Sequence, residues 1–349
     1  GKTEKVAALQ EERQAVSQRI TDRRQQIIDE YPNTYIAELY RFIQGPKIPP
    51  FEDAESDSAR RAMQYRYYRS HYFPAGSLED ADLLRSPVFE QKLFYFLDNV
   101  IPQIPDSLAD ACVELIDRSV DTDTVMFRYM LVKLSNRYLQ SKIMGMDRIY
   151  VELVQRYYCT NKATWTADST RRKMCEQANK EAPLLLGEIA PNMTLWDTIL
   201  QPHTLHDIIA PYTILYVYAY DCGHCKKETP IIARVHDHYA DAGVELYAVC
   251  TLPDREKWPA FIRKHQLHGI NVSDVYQNTG WRNKYNIQST PHVYILDEDF
   301  RIIAKKLNAN QVDGFLSRLL DMPPLKDENL NLGTQDKQDR TEIDEETEG

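Results

Sequence analysis

The sequence has no apolar run approaching the roughly 18 residues that a bilayer-spanning helix needs. Its longest candidate, Ile208 to Tyr220, is too short and reads as a strand. Nor is there an excess of positive charge: the formal net charge is −10 and the Lys and Arg residues are dispersed, which excludes the clustered basic surface that nucleic acid requires. Cysteine is scarce, with six residues (112, 159, 175, 222, 225 and 250) in a chain of 349, too few for a fold built on disulfides. Only Cys222 and Cys225 have a mechanistic spacing, and the second pair that a structural zinc site would demand is missing. Cys250 stands alone, and His203/His206, His236/His238 and His265/His268 lack neighbouring cysteines. These histidines read as solvated surface, and no metal or external cofactor is expected. The chain opens GlyLysThrGluLys without Met or an apolar signal core, as expected of a mature or trimmed chain whose targeting segment lies outside this sequence.

What is present fits two domains of ordinary size. The hydrophobic fraction is 43% and the charged fraction 27% over 349 residues, enough for each domain to bury its own core. Residues 1–33 form a long amphipathic helix and linker: Val6, Leu9, Val16, Ile20 and Ile27 recur at heptad-like spacing, interrupted by Arg13 and Arg23. That stripe either packs on its own domain or a missing upstream one, or forms a self-associating coiled coil, and the two interruptions favour packing. Residues 34–182 read as an all-α domain, with Phe127, Met130, Leu131, Leu134 and Tyr138 on one helical face and Ile149, Leu153 and Tyr157 on another. The aromatic stretch at 64–73 and the methionines at 144 and 146 are core material at helical spacing and carry no chemistry.

Past Ala182-Pro183 the periodicity changes from 3.6 to short β-rich runs. Tyr212–Tyr220, Val244–Cys250, and the hairpin of His292–Leu296 with Arg301–Leu307 are the strands expected. Helices fall from Cys222 into the Arg234 region, over Arg255–Leu267 and over Val312–Leu320. Strands alternating with helices make residues 183–322 an α/β domain. The remainder, 323–349, is acidic and poor in apolar residues, and is expected to be a flexible tail.

Cys222-Gly223-His224-Cys225 follows the first strand at the start of a helix. A thiol-disulfide centre needs one sulfur open to attack and another sheltered to resolve, and Cys-x-x-Cys at a helix N-terminus supplies both. Cys222, in the first turn, meets free N–H groups and the positive end of the helix dipole, which favour thiolate. Cys225, one turn on, points inward. His224, Lys226 and Lys227 add to the stabilisation and Asp221 opposes it.

These residues resemble the active site of a thioredoxin-fold protein, with the CysGlyHisCys centre of protein disulfide isomerases, and more closely the TlpA/ResA-like envelope branch. LeuGlyGluIleAlaPro at 186–191, then Cys222-x-x-Cys225-x-x-Glu228-x-Pro230, then Ser289-Thr290-Pro291 before ValTyrIleLeuAsp reproduce that family's motifs in order. The resemblance implies an α/β thioredoxin-like fold, a cis peptide before Pro291 that presents the Thr290 backbone to a substrate strand, and site residues Cys222, Cys225, His224, Glu228, Thr290 and Pro291. It also shows departures. The strand position often held by a buried acid is Tyr216, and Asp221 replaces the usual aromatic before the first cysteine. Glu228 is then a candidate proton-transfer partner for Cys225, with a helix-surface salt bridge as the alternative. ValPheGluGlnLysLeu, SerLysIleMetGlyMetAsp and AsnLysAlaThrTrp in 34–182 are similar to an uncharacterised helical domain that precedes thioredoxin-like modules in Gram-negative envelope proteins.

The expected function is therefore a thiol-disulfide oxidoreductase of the periplasm or cell envelope, lipid-anchored through a missing N-terminal segment. It would act on protein thiols and disulfides with a membrane or periplasmic redox partner. A CysGlyHisCys centre elsewhere sits at about −180 mV against about −270 mV for thioredoxin; reduction or isomerisation is the favoured direction. The rival is a non-catalytic binding module on the same scaffold. Cys159 and Cys175, flanking AsnLysAlaThrTrp, are either a second, structural disulfide or two buried thiols.

Overall fold

The computed structural model describes residues 2–325, so the expected tail lies, from residue 326 onward, outside the described residues. The chain divides into two compact units, one comprising residues up to 140 with 160–164, the other residues 141–159 with 165 onward.

The first unit is helical: α1 (Lys2–Glu30), α2 (Tyr35–Ile43), α3 (Asp57–Ser70), α4 (Val88–Tyr95), α5 (Pro105–Asp117) and α6 (Thr124–Leu139). Local chemistry sets their starts. Ser56 accepts the Ala59 N–H, Asp123 accepts those of Val125 and Met126, and α5 opens on Pro105, whose missing N–H costs nothing there. On α6, Phe127, Met130, Leu131, Leu134 and Tyr138 are all buried, as the period of the sequence requires. α1 keeps Val6, Leu9, Val16 and Ile20 exposed; among its described side chains, burial is confined to the last turns, around Ile28.

The second unit begins with α7 (Asp147–Leu153), which continues as a π-helical turn (Val154–Tyr158), and α8 (Asp168–Glu181), joined by a Cys159–Cys175 disulfide. A mixed seven-stranded sheet follows: β1 (Thr194–Trp196), β2 (Pro202–Thr204), β3 (Tyr212–Tyr218), β4 (Val244–Cys250), β5 (Ile270–Ser273), β6 (His292–Asp297) and β7 (Ile302–Lys305), in the order β2-β1-β5-β4-β3-β6-β7. β3, β4 and β5 are parallel, and β6 and β7 return antiparallel. Because β3 and β4 are covered on both faces, they read as nearly unbroken apolar runs. α9 (Gly223–Tyr239), α10 (Lys257–His265) and α12 (Ala309–Leu320) supply the core with Ile214, Tyr216 and Tyr218; Leu215, Val217 and Tyr247 point to the other layer with Trp281 of α11 (Trp281–Lys284).

Two expectations need correcting. β1, β2 and β5 escaped the strand reading because three or four residues, one of them Pro202, are too few to establish a period of two. His236 is not solvated surface. It lies on the buried face of α9 with Ile232, Val235 and Tyr239, only 6% exposed.

The rim of the sheet at β7 is bordered by residues 187–190, which exchange backbone hydrogen bonds with Ile302, and at Lys305 by the segment leading into α7. The Lys305 N–H donates to the Met144 thioether, and its buried ammonium reaches Asp147 at 2.7 Å and the Leu184 carbonyl at 2.6 Å. Lys306 also pairs with Asp147, at 3.3 Å. Burial works against the Asp147 carboxylate, but the two ammonium groups outweigh it and hold its pKa below the ordinary value.

Candidate active site

β3 ends at Tyr218 and the turn that follows brings Cys222 to the N-cap of α9 with extended backbone (φ −73°, ψ 125°). Its sulfur accepts the Cys225 N–H at 3.3 Å, occupying the place that a Ser or Asp oxygen takes at an ordinary cap. A negative charge on that sulfur faces the positive end of a 17-residue helix. Partial burial alone would raise the Cys222 pKa. Hydrogen bonds from the Cys225 thiol and N–H, the Thr290 side chain and the His224 N–H outweigh it, and the net shift is downward. Cys225 is wholly buried, and burial first, then its contact with Cys222, push its thiol up to about 12. Neither sulfur is bonded to another. One is thus accessible and acidified, the other sheltered and protonated.

The opposite wall is the loop into β6. The Thr290–Pro291 peptide is cis, and the Thr290 carbonyl accepts the Cys222 S–H at 3.4 Å. The structure therefore brings Cys222, Cys225, Thr290 and Pro291 together from two segments nearly 70 residues apart. The His224 side chain is exposed on the first turn of α9, as are Lys226, Lys227 and Asp221. Glu228 is half-buried on the same helix, and its carboxylate accepts the Ala309 N–H at 2.5 Å, at the first residue of α12. That contact joins the two helices.

Beneath the sulfurs lie phenols. Tyr216 and Tyr218 stack with centroids 5.3 Å apart, and Trp258 Nε1 donates to the Tyr218 hydroxyl. Thr229 spends its proton on the Cys225 carbonyl at 2.7 Å, so the Tyr216 hydroxyl, 2.8 Å away, is the donor to Thr229. Burial foremost raises the Tyr216 pKa well above its usual value. This Tyr216–Thr229–Cys225 chain fixes the first turns of α9 without placing a second anion under the pair. It was missed in the sequence, where Tyr216 stood out only as a departure; Thr229, four residues after Cys225, carried the detectable signal.

Among the described residues, no group of three or more His, Cys, Asp or Glu side chains is arranged to hold a metal ion, and no helix is long and apolar enough to cross a membrane.

Residues 186–305 match the AhpC/TSA family, and residues 8–181 match a domain of unknown function, DUF5106. The thiol-disulfide oxidoreductase ResA of Bacillus cereus is 23% identical over 145 residues, covering 41% of this chain and 82% of that protein. A domain of a possible thiol-disulfide isomerase from Cytophaga hutchinsonii is 36% identical over 40% of this chain and 96% of its own, with a TM-score of 0.38. A thioredoxin-like protein from Bacteroides caccae, 16% identical, covers 79% of this chain and 98% of its own with a TM-score of 0.57, a likeness of fold alone.

Proposed function

The chain belongs to the AhpC/TSA family through residues 186–305 and carries a DUF5106 domain over residues 8–181, and from that membership together with the paired sulfurs we infer a thiol-disulfide oxidoreductase acting on protein disulfides through Cys222 and Cys225. The observation that carries this reading is the placement of Cys222 as the N-cap of α9, facing the Thr290 carbonyl, with Cys225 buried one turn behind.

The Cys222 thiolate attacks one sulfur of a substrate disulfide. That S–S bond breaks, a Cys222–substrate disulfide forms, and the leaving sulfur departs as a thiolate that takes up a proton. Cys225 then loses its proton and attacks the Cys222 sulfur, releasing the second substrate thiol and leaving a Cys222–Cys225 disulfide. Two electrons pass from the enzyme dithiol to the substrate; the reverse sequence oxidises. Isomerisation ends instead when another substrate thiol displaces Cys222. A resolving thiol that stays protonated slows completion of reduction and lengthens the life of the mixed disulfide, which gives time for isomerisation. Thr290 and Pro291 offer backbone to the substrate strand, while His224 adds its N–H beside Cys222. Glu228 serves here as a positioning residue between α9 and α12.

We place the protein in the periplasm or cell envelope, anchored through a segment outside this sequence and recharged by a membrane or periplasmic redox partner. The Cys159–Cys175 disulfide supports an oxidising compartment. Residues 183–322 would carry the chemistry and the helical domain at 34–182 would select protein substrates. The experiment is a non-reducing gel of Cys225→Ala and Cys222→Ala expressed in an oxidising compartment, beside a turnover assay on a model protein disulfide. Reducible adducts with Cys225→Ala alone, and turnover by the wild type, are expected. Absence of both would favour the non-catalytic binding module.

A further inference from the structure

Glu181 is the last residue of α8, where the helix dipole presents its negative end and a carboxylate is disfavoured. Its placement there has a counterpart. Glu181 Oε1 accepts a 2.6 Å hydrogen bond from Asn286 Nδ2 and a 3.1 Å bond from Gln177. Asn286 is only 9% exposed and holds a left-handed backbone, φ 47°, a conformation that asparagine tolerates better than most residues. Its side-chain oxygen accepts from Gln288 Nε2 at 3.2 Å. Gln288 is two residues before Thr290, whose carbonyl faces Cys222 Sγ. A continuous link thus runs from the end of α8 through Asn286 and Gln288 to the wall of the reactive sulfur.

We propose that Glu181 is a positioning residue for disulfide exchange: through Asn286 it holds the loop 286–291 so that Thr290 meets the Cys222 sulfur. This rests on the reading of Cys222 as the nucleophile. The role differs from that of a catalytic residue, because Glu181 touches neither the sulfurs nor a substrate. It also gives α8 a part in the chemistry, since the DUF5106 match ends at this residue. If the loop is released, the Cys222 sulfur loses its contact with Thr290.

The test uses the full chain carrying Cys225→Ala, so that Cys222 is the reactive thiol; Cys112 and Cys250 are buried, with thiols pushed up to about 12, and stay silent. The Cys222 thiolate is titrated by ultraviolet absorbance, and its rate of attack on a small aromatic disulfide is measured at pH 7. Glu181→Ala should move the titration midpoint by about half a pKa unit and, because nucleophilicity rises with thiol basicity, change the rate at pH 7 by about twofold. Glu181→Gln, whose amide oxygen still accepts from Asn286, should restore the wild-type values. Asn286→Gly, which keeps the left-handed backbone while removing the amide, should match Glu181→Ala, and the double variant should add nothing further. An unchanged midpoint and rate in Glu181→Ala, a Glu181→Gln as impaired as the alanine, or fully additive effects would each overturn the proposal while leaving the exchange reaction standing. A parent in which Cys222 shows no acidic, disulfide-reactive thiol would instead remove the reading beneath it.

Discussion

The two sulfurs of the pair should differ in reactivity by an amount that burial sets. In Cys222→Ala, the remaining thiol is Cys225, wholly enclosed, with a pKa pushed up to about 12. An ordinary free thiol ionises near 8.5, so the thiolate fraction of Cys225 at pH 7 is lower by a factor of about three thousand. A more basic thiolate is intrinsically more nucleophilic, with a Brønsted coefficient of about 0.4–0.5, which returns a factor of roughly 25–60. The net expectation is alkylation about a hundredfold slower than for an unhindered thiol, before any steric exclusion is added. Loss of the Cys222 contact removes one cause of the raised pKa, but burial, the larger cause, persists. In Cys225→Ala, Cys222 keeps the α9 N–H groups and Thr290 and should react at least as fast as a free thiol. Iodoacetamide labelling at pH 7, followed by intact mass over time, compares the two directly. Equal labelling rates would refute the argument, because they would require that α9 shelter neither sulfur or that both titrate alike.

Other outcomes follow from the same structure. In a Cys222→Ala/Cys225→Ala double variant purified without reductant, denaturation should expose two alkylatable thiols, Cys112 and Cys250, because Cys159 and Cys175 are bonded; four thiols would exclude that bridge. Lys305→Ala should cost about 3 kcal/mol in urea denaturation, the low end for a broken buried pair because Lys306 still reaches Asp147. Lys305→Met with Asp147→Leu should recover most of that loss, and a silent Lys305→Ala would show that the pair contributes nothing. His236 has its pKa lowered by burial, against the pull of Glu245 and Asp237 and with His268 adding to the decrease. As pH falls below about 6.5 the unfolded chain takes up a proton that the folded chain resists, so stability declines from there down to the folded pKa. His236→Gln should flatten that part of the stability curve between pH 7.5 and 5.5, and an unchanged slope would count against it.

The elements legible in the sequence were those whose pattern repeats long enough to be read. α6 shows five apolar residues at helical spacing and buries all five; β3 and β4 run seven residues each and are enclosed on both faces. Cys222 and Cys225 were legible for a different reason, since their chemistry depends on a spacing of three within one helix. Contacts between distant segments left little trace. Nothing local marks Lys305 as buried, because its partners Asp147 and Leu184 are more than a hundred residues away. Glu181 and Asn286 are likewise 105 residues apart. His236 was the avoidable miss, for it sits on the same stripe of α9 as Ile232, Val235 and Tyr239, and a histidine in such a stripe is a buried one.

The contact of Lys305 with the segment leading into α7 bears on where such a protein can be cut. The matched segments meet between residues 181 and 186, a natural seam for recombination or for an expression truncation. Yet Asp147 and Met144 lie on one side of that seam and Lys305 on the other. A fragment beginning at 183 would keep residues 187–190 along β7 but would carry the Lys305 ammonium with its counter-ion deleted. The second compact unit begins at residue 141, well ahead of the matched family segment, so a cut at the seam divides one packed body.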